Sequence, residues 1–175
     1  MSPELRISPE DIRNETLPNG MRVILYPMPW AQSVITSLGI KAGPAYEHYN
    51  TRGISHLVEH VISDGFKGYS TWPEAEEAAM SMGGSIDQET GPDYMMSQLV
   101  TLPEYASDSL SYVHDMIFQP YIRSRDLSLQ QQVVVQEIRD EMDSPEGYLE
   151  RLVERAIWQD HPFGDGPLGS IPTVL

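Results

Sequence analysis

The sequence predicts an α+β domain built on an antiparallel sheet rather than a doubly wound parallel one. Three observations lead there: the chain opens with strands around Asn19-Gly20, two later strands meet at Gly91-Pro92, and helical patterns surround that second pair without alternating strand by strand.

Residues 14–17 and 21–26 read as the arms of a hairpin, because Asn19-Gly20 readily takes the positive φ angles of a tight turn. Residues 33–41 continue as a strand with β-branched content, and Ala42-Gly43-Pro44 breaks it. A helix is expected over residues 51–63, where Ile54, Leu57, Val58, Val61 and Ile62 form one apolar stripe. The next helix follows Pro73 and stops at Gly83-Gly84. Strands over residues 85–90 and 94–101 come next, and Pro103 opens a helix to about Phe118. Residues 126–143 form a longer helix, residues 147–159 another after the Ser144-Pro145 break, and residues 161–167 a Gly/Pro loop. Residues 171–175 read as the start of a further element, so the chain is expected to be a truncated single domain or one lacking C-terminal elements.

A chain of 175 residues can bury a core without staples, and its 40% apolar and 21% charged content is that of a globular protein. With no cysteine, any transition-metal site must use carboxylates and the five histidines. The net charge of −15 disfavours nucleic acid and anionic membranes as partners, and it admits basic peptides. Residues 1–15 have no apolar core and no stretch approaches a membrane span, so a cytoplasmic location is expected.

His56 and His60 stand four positions apart in a predicted helix, so both imidazoles can reach one ion, and zinc is the expected metal. Glu59 lies on the neighbouring part of that face, where a carboxylate can take a proton from metal-activated water. A catalytic zinc needs a third protein ligand. His48, His114 and His161 each read equally well as surface or packing residues. Among carboxylates, Glu137 sits among Val133, Val134, Val135 and Ile138 and needs a partner near the core, whereas Glu141, in Arg139-Asp140-Glu141, is expected to face water.

The run Gly53-Ile54-Ser55-His56-Leu57-Val58-Glu59-His60, with Asn19-Gly20, Ala42-Gly43, Gly65, Val133-Val134-Val135-Gln136-Glu137-Ile138, Asp143, Pro145, His161-Pro162-Phe163-Gly164 and Gly169, resembles the insulinase or pitrilysin family of inverted-motif zinc peptidases. The resemblance implies a two-layer α+β metallopeptidase domain of the mitochondrial-processing-peptidase-like type, with one zinc ion held by His56, His60 and Glu137. It implies peptide-bond hydrolysis with Glu59 as general base and an extended peptide added to the edge strand Ser85, Ile86, Asp87, Gln88, Glu89 and Thr90. Two sites depart from the family pattern. Asp87-Gln88 stands where the family often has Asn-Ala, and Gln130 where it usually has a glutamate supporting the metal site. The resemblance also implies a second homologous domain or subunit needed for full activity. Its rival is a non-catalytic, zinc-binding partner subunit that only presents peptides.

Overall fold

The computed structural model describes residues 9–175, which divide into two compact units, the first ending at Gln32 and the second covering residues 33–175. The smaller unit carries the hairpin, with β1 (Arg13–Thr16) antiparallel to β2 (Arg22–Leu25) in the register Arg13↔Leu25 to Thr16↔Arg22. Its loop is longer than a two-residue turn. Leu17 N–H donates to the Met21 carbonyl at 2.8 Å, and only Gly20, at φ +86°, enters the left-handed region. Asn19 instead uses its side-chain oxygen to accept from Met21 N–H at 3.1 Å, the local bonding that makes Asn a turn residue.

The larger unit is an α+β arrangement. Its sheet has the order β3-β5-β4, all antiparallel, with β3 (Val34–Ile40), β4 (Ser85–Thr90) and β5 (Met95–Thr101). In the central strand β5, Met95, Ser97, Leu99 and Thr101 are buried, which gives the period of two that a packed sheet face requires.

Two clusters make the core. Phe66, Leu99, Tyr112, Val113 and Met116 join the sheet to α2 (Trp72–Ser81) and α3 (Ala106–Phe118), with Ala75 and Ala79 allowing close approach of α2. Leu57, Val61, Val134, Val135, Ile138 and Val174 join α1 (Ile54–Ser63) to α4 (Ser124–Asp143) and the short α6 (Ile171–Val174). The first cluster supports the sheet; the second sets the spacing of the helices that carry the candidate ligands.

Helix boundaries differ from the sequence expectation where caps decide them. The helix expected from residue 51 begins at Ile54, because Gly53 adopts φ +85° and a separate turn occupies Tyr49–Thr51. The last long helix, α5 (Pro145–Trp158), begins at Pro145 rather than residue 147. Pro fits a first helical position, and Ser144 Oγ accepts from Gly147 N–H at 3.2 Å. The loop at residues 161–167 contains a 3-10 turn at Pro162–Asp165. No helix among the described residues is long and apolar enough to cross a membrane.

Candidate metal centre

Helix α1 is fixed at its N-terminus before it presents any ligand. Glu47, buried, accepts from Gly53 N–H at 2.8 Å and Ser55 N–H at 2.9 Å, placing an anion at the positive end of the helix. Ser55 Oγ in turn accepts from Gly43 N–H at 2.8 Å. A Cβ on Gly53 would lie 2.4 Å from the Leu168 carbonyl oxygen, and one on Gly169 would lie 2.4 Å from that of Arg52. These two glycines let the C-terminal segment lie directly against the start of α1.

From that frame His56 and His60 project together, their rings edge-on with centroids 4.6 Å apart. Packing of Val134, Val135 and Ile138 against Leu57 and Val61 brings Glu137 of α4 opposite them. Glu137 Oε2 lies 3.8 Å from His56 Nδ1 and 3.5 Å from His60 Nε2. The first of these is not an ordinary ion pair. Burial, aided by neighbouring His60, pushes His56 down to about 4, so at neutral pH it is an uncharged imidazole.

His56 Nδ1 and Glu137 Oε2 are both buried and neither has a hydrogen-bond partner among the described residues. Such groups are costly unless something between them supplies positive charge. One ligand atom from each of His56, His60 and Glu137 lies within 4.8 Å of the others, so the three can hold a metal ion. Tetrahedral ligands at about 2.0–2.1 Å from zinc would stand about 3.3–3.4 Å apart, close to the distances found. Two imidazole nitrogens and a carboxylate are also a donor set that zinc accepts.

Glu59 sits beside this group without joining it. Thr90 Oγ donates to Glu59 Oε2, tying it to β4. Burial pushes its carboxyl above the usual glutamate range despite the Thr90 bond and the nearby histidine. A cavity of about 390 Å³ opens next to Glu59 and His60, with Asp64, Trp72, Ile86 and Gln88 in its walls.

The six strand residues singled out from the sequence lie in β4, one of the two outer strands of the sheet. Ile86, Gln88 and Thr90 are half-buried, while Ser85, Asp87 and Glu89 are exposed. The Gln88 side chain is engaged inward, since Ser63 Oγ donates to its Oε1 and its Nε2 donates to Ser97 Oγ at 3.1 Å. Gln130 stands behind His60, with its Oε1 3.2 Å from His60 Nδ1.

The other candidates lie elsewhere in bonding terms. His48 caps the short turn at Tyr49–Thr51, exposed His114 meets Asp115 at 2.9 Å, and His161 stacks edge-on against Phe163. Glu141, expected to face water, is half-buried because buried Arg151 donates to it. Glu47 and Asp64 escaped the sequence reading; Asp64 had a usable signal, standing one helical turn after His60.

Across residues 22–169 the chain matches the model of the insulinase family, peptidase family M16, and it belongs to that family. It is 31% identical over 166 residues to the uncharacterised zinc protease YmxG of Bacillus subtilis and 28% identical over 165 residues to an uncharacterised zinc protease of Rickettsia bellii. These alignments cover 93% and 94% of the chain and 40% of each relative, so the chain spans about two-fifths of their length. A crystal structure of a protease from Helicobacter pylori superposes with a TM-score of 0.87 at 22% identity, covering 93% of this chain and 39% of that one, which establishes the shared fold.

Proposed function

We propose that this chain is a zinc-dependent endopeptidase domain, with His56, His60 and Glu137 as zinc ligands and Glu59 as general base. The observation that carries the reading is the convergence of His56 Nδ1 and Glu137 Oε2, buried and partnerless, next to a carboxylate held off the metal position by Thr90. Zinc, when bound, polarises the scissile carbonyl and acidifies water.

The chain's own groups do the rest. Thr90 occupies one oxygen of Glu59, leaving the other for the proton of the attacking water. As the water oxygen bonds to the carbonyl carbon, Glu59 takes that proton and delivers it to the amine nitrogen when the C–N bond breaks. The raised pKa makes Glu59 a stronger base than an exposed glutamate.

An extended peptide pairing with the outer edge of β4 would be held mainly by main-chain hydrogen bonds, with its scissile bond beside Glu59. The charge of −15 favours basic peptides. Because the relatives are about two and a half times as long as the matched region, a second homologous domain or subunit is proposed to complete substrate binding. Metal analysis and peptide cleavage, with and without such a partner, test the reading. His60→Ala should lose zinc and activity together, and full zinc occupancy in that variant would exclude the assignment. The rival partner-subunit role predicts zinc binding without cleavage under every condition.

A further inference from the structure

Gln130 bridges His60 to a carboxylate that lies outside the ligand set. Its Oε1 meets His60 Nδ1 at 3.2 Å, and its Nε2 donates to Asp64 Oδ2 at 2.9 Å. Asp64 is the C-cap residue of α1, one turn beyond His60, and its carboxylate can only accept. An amide has one accepting end and one donating end. With its donating end committed to Asp64, Gln130 must present oxygen to the histidine, so His60 Nδ1 carries the proton. The opposite nitrogen, Nε2, then keeps its lone pair on the side that faces Glu137.

We propose that Asp64 is a positioning residue for the metal centre: acting through the Gln130 amide, it fixes His60 in the tautomer that can bind zinc. This rests on the zinc assignment above. The arrangement places the charge one residue further from the histidine than a direct carboxylate would, and it makes positions 64 and 130 interdependent. A glutamate at 130 would face Asp64 with like charge, whereas it would be satisfied by an asparagine at 64. Asp64→Asn alone lets the two amides pair in either orientation and removes the bias on His60.

The test uses the full chain. In metal-free, 15N-histidine-labelled protein, long-range 1H–15N spectra should show His60 protonated at Nδ1, and Asp64→Asn should convert this to a mixture of tautomers. Zinc affinity, measured by chelator competition, should fall roughly 10- to 100-fold in Asp64→Asn and in Gln130→Glu. In the double variant Asp64→Asn/Gln130→Glu, which moves the charge from 64 to 130, affinity should recover to within a few-fold of the original. Circular dichroism checks folding, and if Gln130→Glu does not fold, the tautomer and affinity of Asp64→Asn decide the matter alone. An unchanged tautomer in Asp64→Asn, or losses that simply add in the double variant, would overturn the proposal. Failure of the unaltered chain to bind zinc would instead overturn the metal assignment, while the tautomer measurement would still report on the relay.

Discussion

Two polar clusters of the larger unit are both drawn away from water, and they differ in whether the protein satisfies itself. Around Asp165, the carboxylate accepts from Arg52 and from Arg155 Nη2 at 2.8 Å, Arg52 also donates to the Asp160 carbonyl, and Arg52 stacks 4.5 Å over the Tyr49 ring. Apart from Arg52 Nε, its buried atoms have partners. Between α1 and α4, by contrast, His56 Nδ1 and Glu137 Oε2 approach each other with no hydrogen bond to either. The first cluster is closed and joins the start of α1 to the C-terminal loops. The second is open in that it leaves two buried atoms that no group among the described residues satisfies, and that difference is what separates a scaffold from a candidate site.

The largest effect should come from the open cluster and should appear in rate rather than stability. Glu59→Gln keeps the size of the side chain and its bond to Thr90 while removing the base. Zinc and peptide binding should persist, and single-turnover cleavage should fall by at least the roughly 10²- to 10⁴-fold typical of general acid–base catalysis. Undiminished cleavage with zinc retained would show that Glu59 is not the base.

In the closed cluster the loss should appear in stability. Asp165→Ala strands buried Arg52 without its counter-charge and should lower unfolding free energy by about 3 kcal/mol in urea titrations, with zinc affinity per folded molecule nearly unchanged. Burial alone would raise the Asp165 pKa, but its bonds to Arg155 and Arg52 outweigh burial and hold it below the ordinary 3.8. A depressed folded pKa contributes stability that is complete above the unfolded value and is lost as pH falls through the folded one. The unaltered protein should therefore lose stability below about pH 4, with a smaller acid slope in Asp165→Asn. An unchanged slope would mean that the cluster is not the closed unit described.

The open cluster was more legible in the sequence than the closed one. His56, Glu59 and His60 follow from helical spacing, and the apolar neighbours of Glu137 marked it as a carboxylate in need of a partner. The two strands on either side of Gly91-Pro92 were equally readable from that junction. Arg52 and Asp165 carry no local pattern, because their meeting depends on Gly53 and Gly169 allowing two distant backbones to touch. Glu47 was hidden because it caps a helix whose start moved from the expected residue 51 to Ile54. Glu141 was misplaced by its charged neighbours, since its partner Arg151 belongs to the next helix. Local chemistry is written in adjacent residues, whereas closure is written in approaches between segments.

The smallest effect is the one whose sign matters most. If Glu137 Oε2 is truly without a partner in the metal-free protein, replacing Glu137 by Leu removes a poorly satisfied carboxylate and breaks no hydrogen bond. The side chain is 39% exposed, so the gain is limited, and metal-free stability should stay the same or rise by no more than about 1 kcal/mol. Zinc reverses the ranking. At about 100 times its dissociation constant, zinc should stabilise the unaltered chain by about 2.7 kcal/mol through binding to the folded state, and it should leave Glu137→Leu unmoved. Paired urea titrations with and without zinc read both quantities on the same preparations. A metal-free loss well beyond 1 kcal/mol would mean that Glu137 supports the helix packing as Asp165 supports its loops, and the contrast between an open and a closed cluster would then fail at its central residue.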